Sequence, residues 1–148
     1  MLEFQLRDLQ DATNSKVLRG AVAACMLGNG DAEAAATLFT DAGWSRTDDA
    51  EMGMVSLTPT QGDATVTLYE NGRICDVTSE VWGGATALGA LQVSVMLAGF
   101  QLVSDQTSEC ARFALTDMIT VDLTSSGQDP VCISESNSNV RFTFASAN

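Results

Sequence analysis

Two stretches of this chain say nearly the same thing. "VTLYENGRIC" runs from Val66 to Cys75, and "VDLTSSGQDPVC" from Val121 to Cys132. Around them the order of patterns repeats as well. "AEAAATLFTDA" has its apolar residues at Ala35, Leu38, Phe39 and Ala42, the spacing of one helix face, and "GW" follows it. "GATALGALQVSVMLA" carries Leu88, Leu91, Val95 and Ala98 on one face, and "GF" follows it. Trp44 maps to Phe100 at an offset of 56, and Val66, Leu68 and Gly72 map to Val121, Leu123 and Gly127 at 55. Cys75 maps to Cys132 at 57, so the second hairpin loop is the longer one. An internal duplication follows, with pseudo-repeats over about 31–80 and 84–137 in a single domain over 1–148.

Each repeat reads as a helix followed by three strands. The first set lies near Met54 to Leu57, Ala64 to Tyr69 and Arg73 to Ser79. The second lies near Ala111 to Leu115, Ile119 to Leu123 and Val131 to Ser134, and "VRFTFA" adds an alternating strand from Val140 to Ala145. Asn71-Gly72 predicts a tight hairpin, because both residues tolerate positive φ. An extra helix, "NSKVLRGAVAACML", precedes the repeats, with Asn14 or Ser15 as its cap and "GNG" as its stop. The first ten residues fit a strand or a helix equally. The fold class is therefore α+β: duplicated αβββ units, antiparallel sheet packed against helices, and an extra N-terminal helix. One helix and three strands leave apolar faces open, so the halves are expected to join edge to edge or face to face. Trp44 and Phe100 are expected at equivalent core positions.

The four cysteines divide two to each half. Cys25 lies on the apolar face of the extra helix and Cys75 in a strand that this helix would cover. The pairing expected is Cys25–Cys75, and by elimination Cys110–Cys132. Two disulfides imply an oxidising compartment, so a periplasmic or secreted location is expected, with any signal peptide already removed. A cytoplasmic location is the alternative, with four buried thiols acting as small hydrophobes.

Charge and the missing residue types then exclude functions. The net charge is −12, from 19 acids against 7 bases. Such a surface repels phosphate backbones, so nucleic acid is not an expected partner. Val81 to Ser104 is uncharged and long enough to span a bilayer, but its glycines and glutamines and its acidic flanks argue against a span. There is no histidine, which removes Ser-His-Asp triads, Cys-His dyads and histidine metal sites. "GNG" and "GG" lack the following lysine of a phosphate loop, so no cofactor is expected. The acids at Asp48, Asp49 and Glu51, and at Asp31 and Glu33, lack the alternating ligand pattern of a calcium loop, so no metal is expected. A glycosidase-like carboxylate pair would draw on Glu70, Asp76, Glu80 and Asp122, but nothing in the sequence singles out two of them.

A binding or inhibitory module without catalytic activity is what these observations favour. Its partner is expected to be a protein, with a cationic one electrostatically easiest. Asp48, Asp49 and Glu51 form one candidate docking loop, and Trp82, which has no counterpart in the second half, is a candidate anchor. The helix over 85–98 is apolar nearly all round, and Val93, Met96 and Leu97 lie off its main face, so the protein is a monomer or a homodimer built on that helix. The order α-β-β-β-α-β-β with strong acidity is also similar to the small secretion chaperones that bind effector segments as dimers. That resemblance implies a cytosolic acidic dimer, although this chain ends in a strand where that family ends in a helix.

Overall fold

The computed structural model describes residues 2–125, 132 and 134–145. Leu2–Gln10 forms a 3₁₀ helix with Leu2 and Leu9 buried, so the opening residues take the helical of their two readings. Helix α1 spans Val17–Gly28 and ends where Asn29 adopts the left-handed conformation. Helix α2 spans Ala32–Asp41, and the Asp31 carboxylate accepts from the backbone N–H groups of Glu33 and Ala34. Strands β1 (Ser45–Asp49), β2 (Met54–Thr58), β3 (Thr65–Tyr69) and β4 (Ile74–Ser79) follow. Helix α3 spans Gly84–Leu97 and precedes β5 (Val103–Ser104), β6 (Ala111–Thr116), β7 (Ile119–Thr124) and β8 (Ser138–Phe144).

The eight strands form one antiparallel sheet in the order β1-β2-β3-β4-β8-β7-β6-β5. Each helix–strand run is thus a four-stranded meander, in which β1 and β5 are the strands that the sequence pattern does not mark. The halves join edge to edge at β4–β8, over six residue pairs from Ile74↔Thr143 to Ser79↔Ser138. Of the strand expected over Val131 to Ser134, Cys132 and Ser134 are described and neither is in a strand; Val131 and Ile133 lie outside the described residues. The strand that lies beside β4 is β8 instead. The Asn71-Gly72 hairpin forms with a four-residue loop, since Tyr69 pairs Ile74, and Glu70, Asn71 and Gly72 all have positive φ. A Cβ on Gly72 would lie 2.2 Å from the backbone nitrogen of Ala32, so only glycine lets this turn reach the start of α2.

The helices cover one face of the sheet. Side chains alternate between faces along a strand, and Leu57, Val66, Leu68, Cys75, Val77, Val121, Leu123, Val140 and Phe142 all point into a core shared with α1, α2 and α3. Helix α1 packs against both α2 and α3 and over β4 and β8, so it sits astride the join. Cys25 on α1 is bonded to Cys75 on β4, and Cys110 to Cys132. The exits of α2 and α3 share two backbone hydrogen bonds at an offset of 56. Gly43 and Gly99 donate to Thr40 and Met96, and Trp44 and Phe100 donate to Phe39 and Val95. The two rings then diverge. Trp44 is 5% exposed and packs on Phe39, with its indole N–H on the Leu9 carbonyl at 2.8 Å, whereas Phe100 is 37% exposed. The N-terminal 3₁₀ helix supplies the cover over Trp44, and the helix pattern at 2–10 has no counterpart in the second half.

Candidate functional site

Among the described residues no α-helix covers the other face of the sheet, and the register places one charged residue from each of four neighbouring strands in one row. Residues paired across an antiparallel ladder share a face. Arg112 on β6 pairs Asp122 on β7, Asp122 pairs Arg141 on β8, and Arg141 pairs Asp76 on β4. Their chain neighbours Val121, Leu123, Val140, Phe142, Cys75 and Val77 are in the core, so this row points the opposite way. Thr67 and Ser56 extend it over β3 and β2. The result is a ladder of alternating sign across the middle of the molecule.

Its internal bonding is incomplete. Arg112 Nε donates to Asp122 Oδ1 at 2.6 Å, and Arg141 Nη2 donates to Asp76 Oδ2 at 2.9 Å. These bonds hold both guanidinium groups above their ordinary pKa, against the desolvation that burial imposes. The Asp76 side chain is only 7% exposed. Its Oδ1 and the Arg141 Nε are buried and find no hydrogen-bond partner. Beside them the Asn139 amide donates to Thr78 Oγ1 at 2.9 Å. A depression of about 390 Å³ lies over Arg112, Asp122, Thr124, Asn139 and Arg141, with Cys110 at its rim. A second, of about 310 Å³, lies on the other side of Arg141 and is lined by Met52, Tyr69, Glu70 and Ile74.

No protein-family model, curated protein or solved structure matches this chain.

The residues singled out in the sequence scatter over the molecule. Asp48 and Asp49 end β1, and Glu51 sits in the turn to β2. Asp48 is occupied: Arg46 binds it through Nε at 2.7 Å and Nη2 at 3.1 Å. The same guanidinium grips both oxygens of Glu33, at 2.7 and 2.9 Å. Arg46 thereby lowers the pKa of Glu33 and of Asp48 and is itself raised. Asp49 accepts from the Met52 backbone N–H, which closes the turn. Glu51 is exposed at the tip. Trp82 is half-buried and packs on the core. Its backbone N–H donates to Ser79 Oγ, and its carbonyl accepts from Ser138 Oγ. The register puts Trp82 beyond the Ser79 end of β4 and the acidic turn near its Ile74 end, about 15 Å apart along the strands. The structure does not unite them in one site.

Two of the four carboxylates considered for catalysis do share the ladder. Asp76 and Asp122 flank Arg141 on either side, and each is bonded to an arginine. Glu70 pairs with Arg73 at 2.7 Å. Glu80 donates its backbone N–H to Asp63, whose carboxylate also accepts from Ser79 Oγ. Among the described residues no group of three or more cysteine or acidic side chains is placed to hold a metal ion. Among the described residues no helix is long and apolar enough to cross a membrane. Arg112, Asn139 and Arg141 were not among the residues that the sequence singled out. The signal for two of them was present: one charge amid an alternating strand in "ARFALT" and in "VRFTF".

Proposed function

We propose that this protein is a small, acidic, extracytoplasmic binding module without catalytic activity, and that its ligand docks on the open face of the eight-stranded sheet. The observation that carries this reading is the one-sidedness of the sheet. Three helices cover one face, while the other presents a row of polar and charged side chains over two depressions. Two disulfides are compatible with an oxidising compartment. The absence of histidine from the chain favours binding over acid–base catalysis. Arg46 already holds Asp48 and the Met52 turn already holds Asp49, so the acidic loop offers a cationic partner less than its composition suggests. The open face takes its place in the proposal. The repeated helix exits are read as the mark of a duplication, with the N-terminal 3₁₀ helix added to one half.

The test has two arms. Protein isolated from its own cells and alkylated without reductant should add no label; four labels would overturn the extracytoplasmic reading. With ¹⁵N-labelled protein, ligand-bearing fractions should move amide signals on the open-face strands at Thr67, Asp76, Asp122 and Arg141. Shifts confined to α1, α2 and α3 would overturn the docking face.

A second reading rests on α3. Met96 is 68% exposed, and Phe100 and Val103 also present apolar surface at that end of the sheet. This surface favours the alternative of a chaperone-like dimer joined through α3. Light scattering that gives a monomer mass at high concentration, in both oxidised and reduced protein, would end it.

A further inference from the structure

The chemistry of the ladder narrows the class of ligand, a step that rests on the open face being the docking surface. Arg112, Asp122, Arg141 and Asp76 sum to zero charge and alternate strand by strand, about 5 Å apart. A simple anion brought to Arg112 or Arg141 meets Asp122 one strand away. A simple cation brought to Asp122 meets a guanidinium on each side. The array is matched instead by neutral groups that donate and accept together.

Its unused capacity has that form. Arg112 spends only Nε, and its side chain is 47% exposed, which leaves its two Nη groups as donors. Asp122 spends only Oδ1, leaving Oδ2 as an acceptor in the same row. Arg141 spends only Nη2. A hydroxyl is both donor and acceptor. Two neighbouring hydroxyls can therefore donate a hydrogen bond to Asp122 Oδ2 and accept hydrogen bonds from Arg112, with no net charge buried. Across Arg141, the second depression offers Tyr69, Ile74 and Met52, apolar surface suited to the C–H face of a ring. Arg141 lines both depressions, so they adjoin there, and together with the ladder they mark out a strip from β6 to β3. Its length is about 19 Å across the strands, room for an oligomer rather than a single ring.

We infer that this strip is a binding site for a neutral oligosaccharide, with Arg112 and Asp122 reading vicinal hydroxyls and Tyr69 supporting a ring beyond Arg141.

The test uses the full disulfide-bonded chain, ¹⁵N-labelled, and four neutral probes: maltohexaose, cellohexaose, chitohexaose and mannohexaose. The expected result is that at least one of them saturably shifts the Arg112 and Arg141 Nε–H signals and the Tyr69 and Asp122 amides. R112Q and D122N should each weaken that binding by roughly tenfold or more. Each variant is checked for intact disulfides and unchanged amides in α1–α3, and R46Q, at a remote cluster, should bind like the parent. If no hexasaccharide moves these signals at millimolar concentration, the inference fails. It also fails if only acetate, guanidinium or an oligolysine peptide moves them. In that last case the open face still binds, so the docking-face reading survives while the saccharide does not.

Discussion

The two disulfides sit in contrasting places. Cys25–Cys75 lies in the core, with both residues 1% exposed, and ties the helix astride the join to a central strand across 50 residues of chain. Cys110–Cys132 is half-buried, spans 22 residues, and closes the open end of the β6–β7 hairpin at the rim of the ladder depression. One holds the two layers together; the other frames a surface. The same element order thus carries a staple between layers in one half and a rim brace in the other.

Removing each staple should break this contrast most visibly. In the chain-entropy picture a 50-residue loop is worth about 4 kcal/mol and a 22-residue loop about 3 kcal/mol. The C25A/C75A variant also loses packed core atoms, so its urea midpoint should fall well below that of C110A/C132A. Equal losses would mean that the two bridges serve alike. The next effect is at the turns. Gly72→Ala forces a side chain at positive φ into the α2 backbone and should cost about 3 kcal/mol. Gly99→Ala meets open space at a similar φ and should cost about 1 kcal/mol, as should Gly43→Ala. Thermal unfolding of the three variants ranks them; a larger loss at Gly99 than at Gly72 would contradict the packed-turn account.

Accessibility sharpens the contrast further. A mild thiol reductant at neutral pH should open Cys110–Cys132 in the folded protein while Cys25–Cys75 stays oxidised until the core unfolds. Mass after alkylation should then show two labels, placed by peptide mapping at Cys110 and Cys132. The smallest effect belongs to the exposed β1 cluster. Arg46 lowers the pKa of Glu33 and Asp48 from ordinary values of 4.5 and 3.8. Carboxylates depressed by folding stabilise above their unfolded pKa, and that contribution is lost as pH falls through the folded value. Stability of E33Q/D48N should therefore decline less steeply than the parent below about pH 4. Superimposable acid profiles would show that these ion pairs contribute nothing.

Much of the fold was legible because it is local. The Asp31 cap, the Gly43 and Gly99 exits and the apolar faces of α1, α2 and α3 are all set within a few residues. Strand β1 was not legible. "SRTDD" has no apolar alternation, and it is a strand because β2 pairs with it along an exposed edge. The strand expected from Val140 to Ala145 is β8, but a further strand was expected over Val131 to Ser134 because Cys132 aligns with Cys75 by sequence, whereas hydrogen bonding sets β8 beside β4. Phe100 was expected in the core but has no N-terminal 3₁₀ helix to cover it. The ladder was half legible. Asp76, Arg112, Asp122 and Arg141 each interrupt an apolar alternation, but their assembly into one row depends on neighbours 65 residues apart, such as Asp76 and Arg141.

The β4–β8 join also sets an order of events. Its six pairs unite residues 59 to 69 apart in the chain, and β8 is the last strand among the described residues. When the chain emerges from its N-terminal end, the middle of the sheet is the last part to close. Until then β4 and β7 both present unpaired edges, and neither meander has its neighbour. Closing so distant a pair is entropically slow, and the open edges are where unwanted pairing with other chains begins. Cys25 and Cys75 both emerge well before β8, so their bond can pin α1 onto the first meander and hold one half-sheet in register while the second arrives.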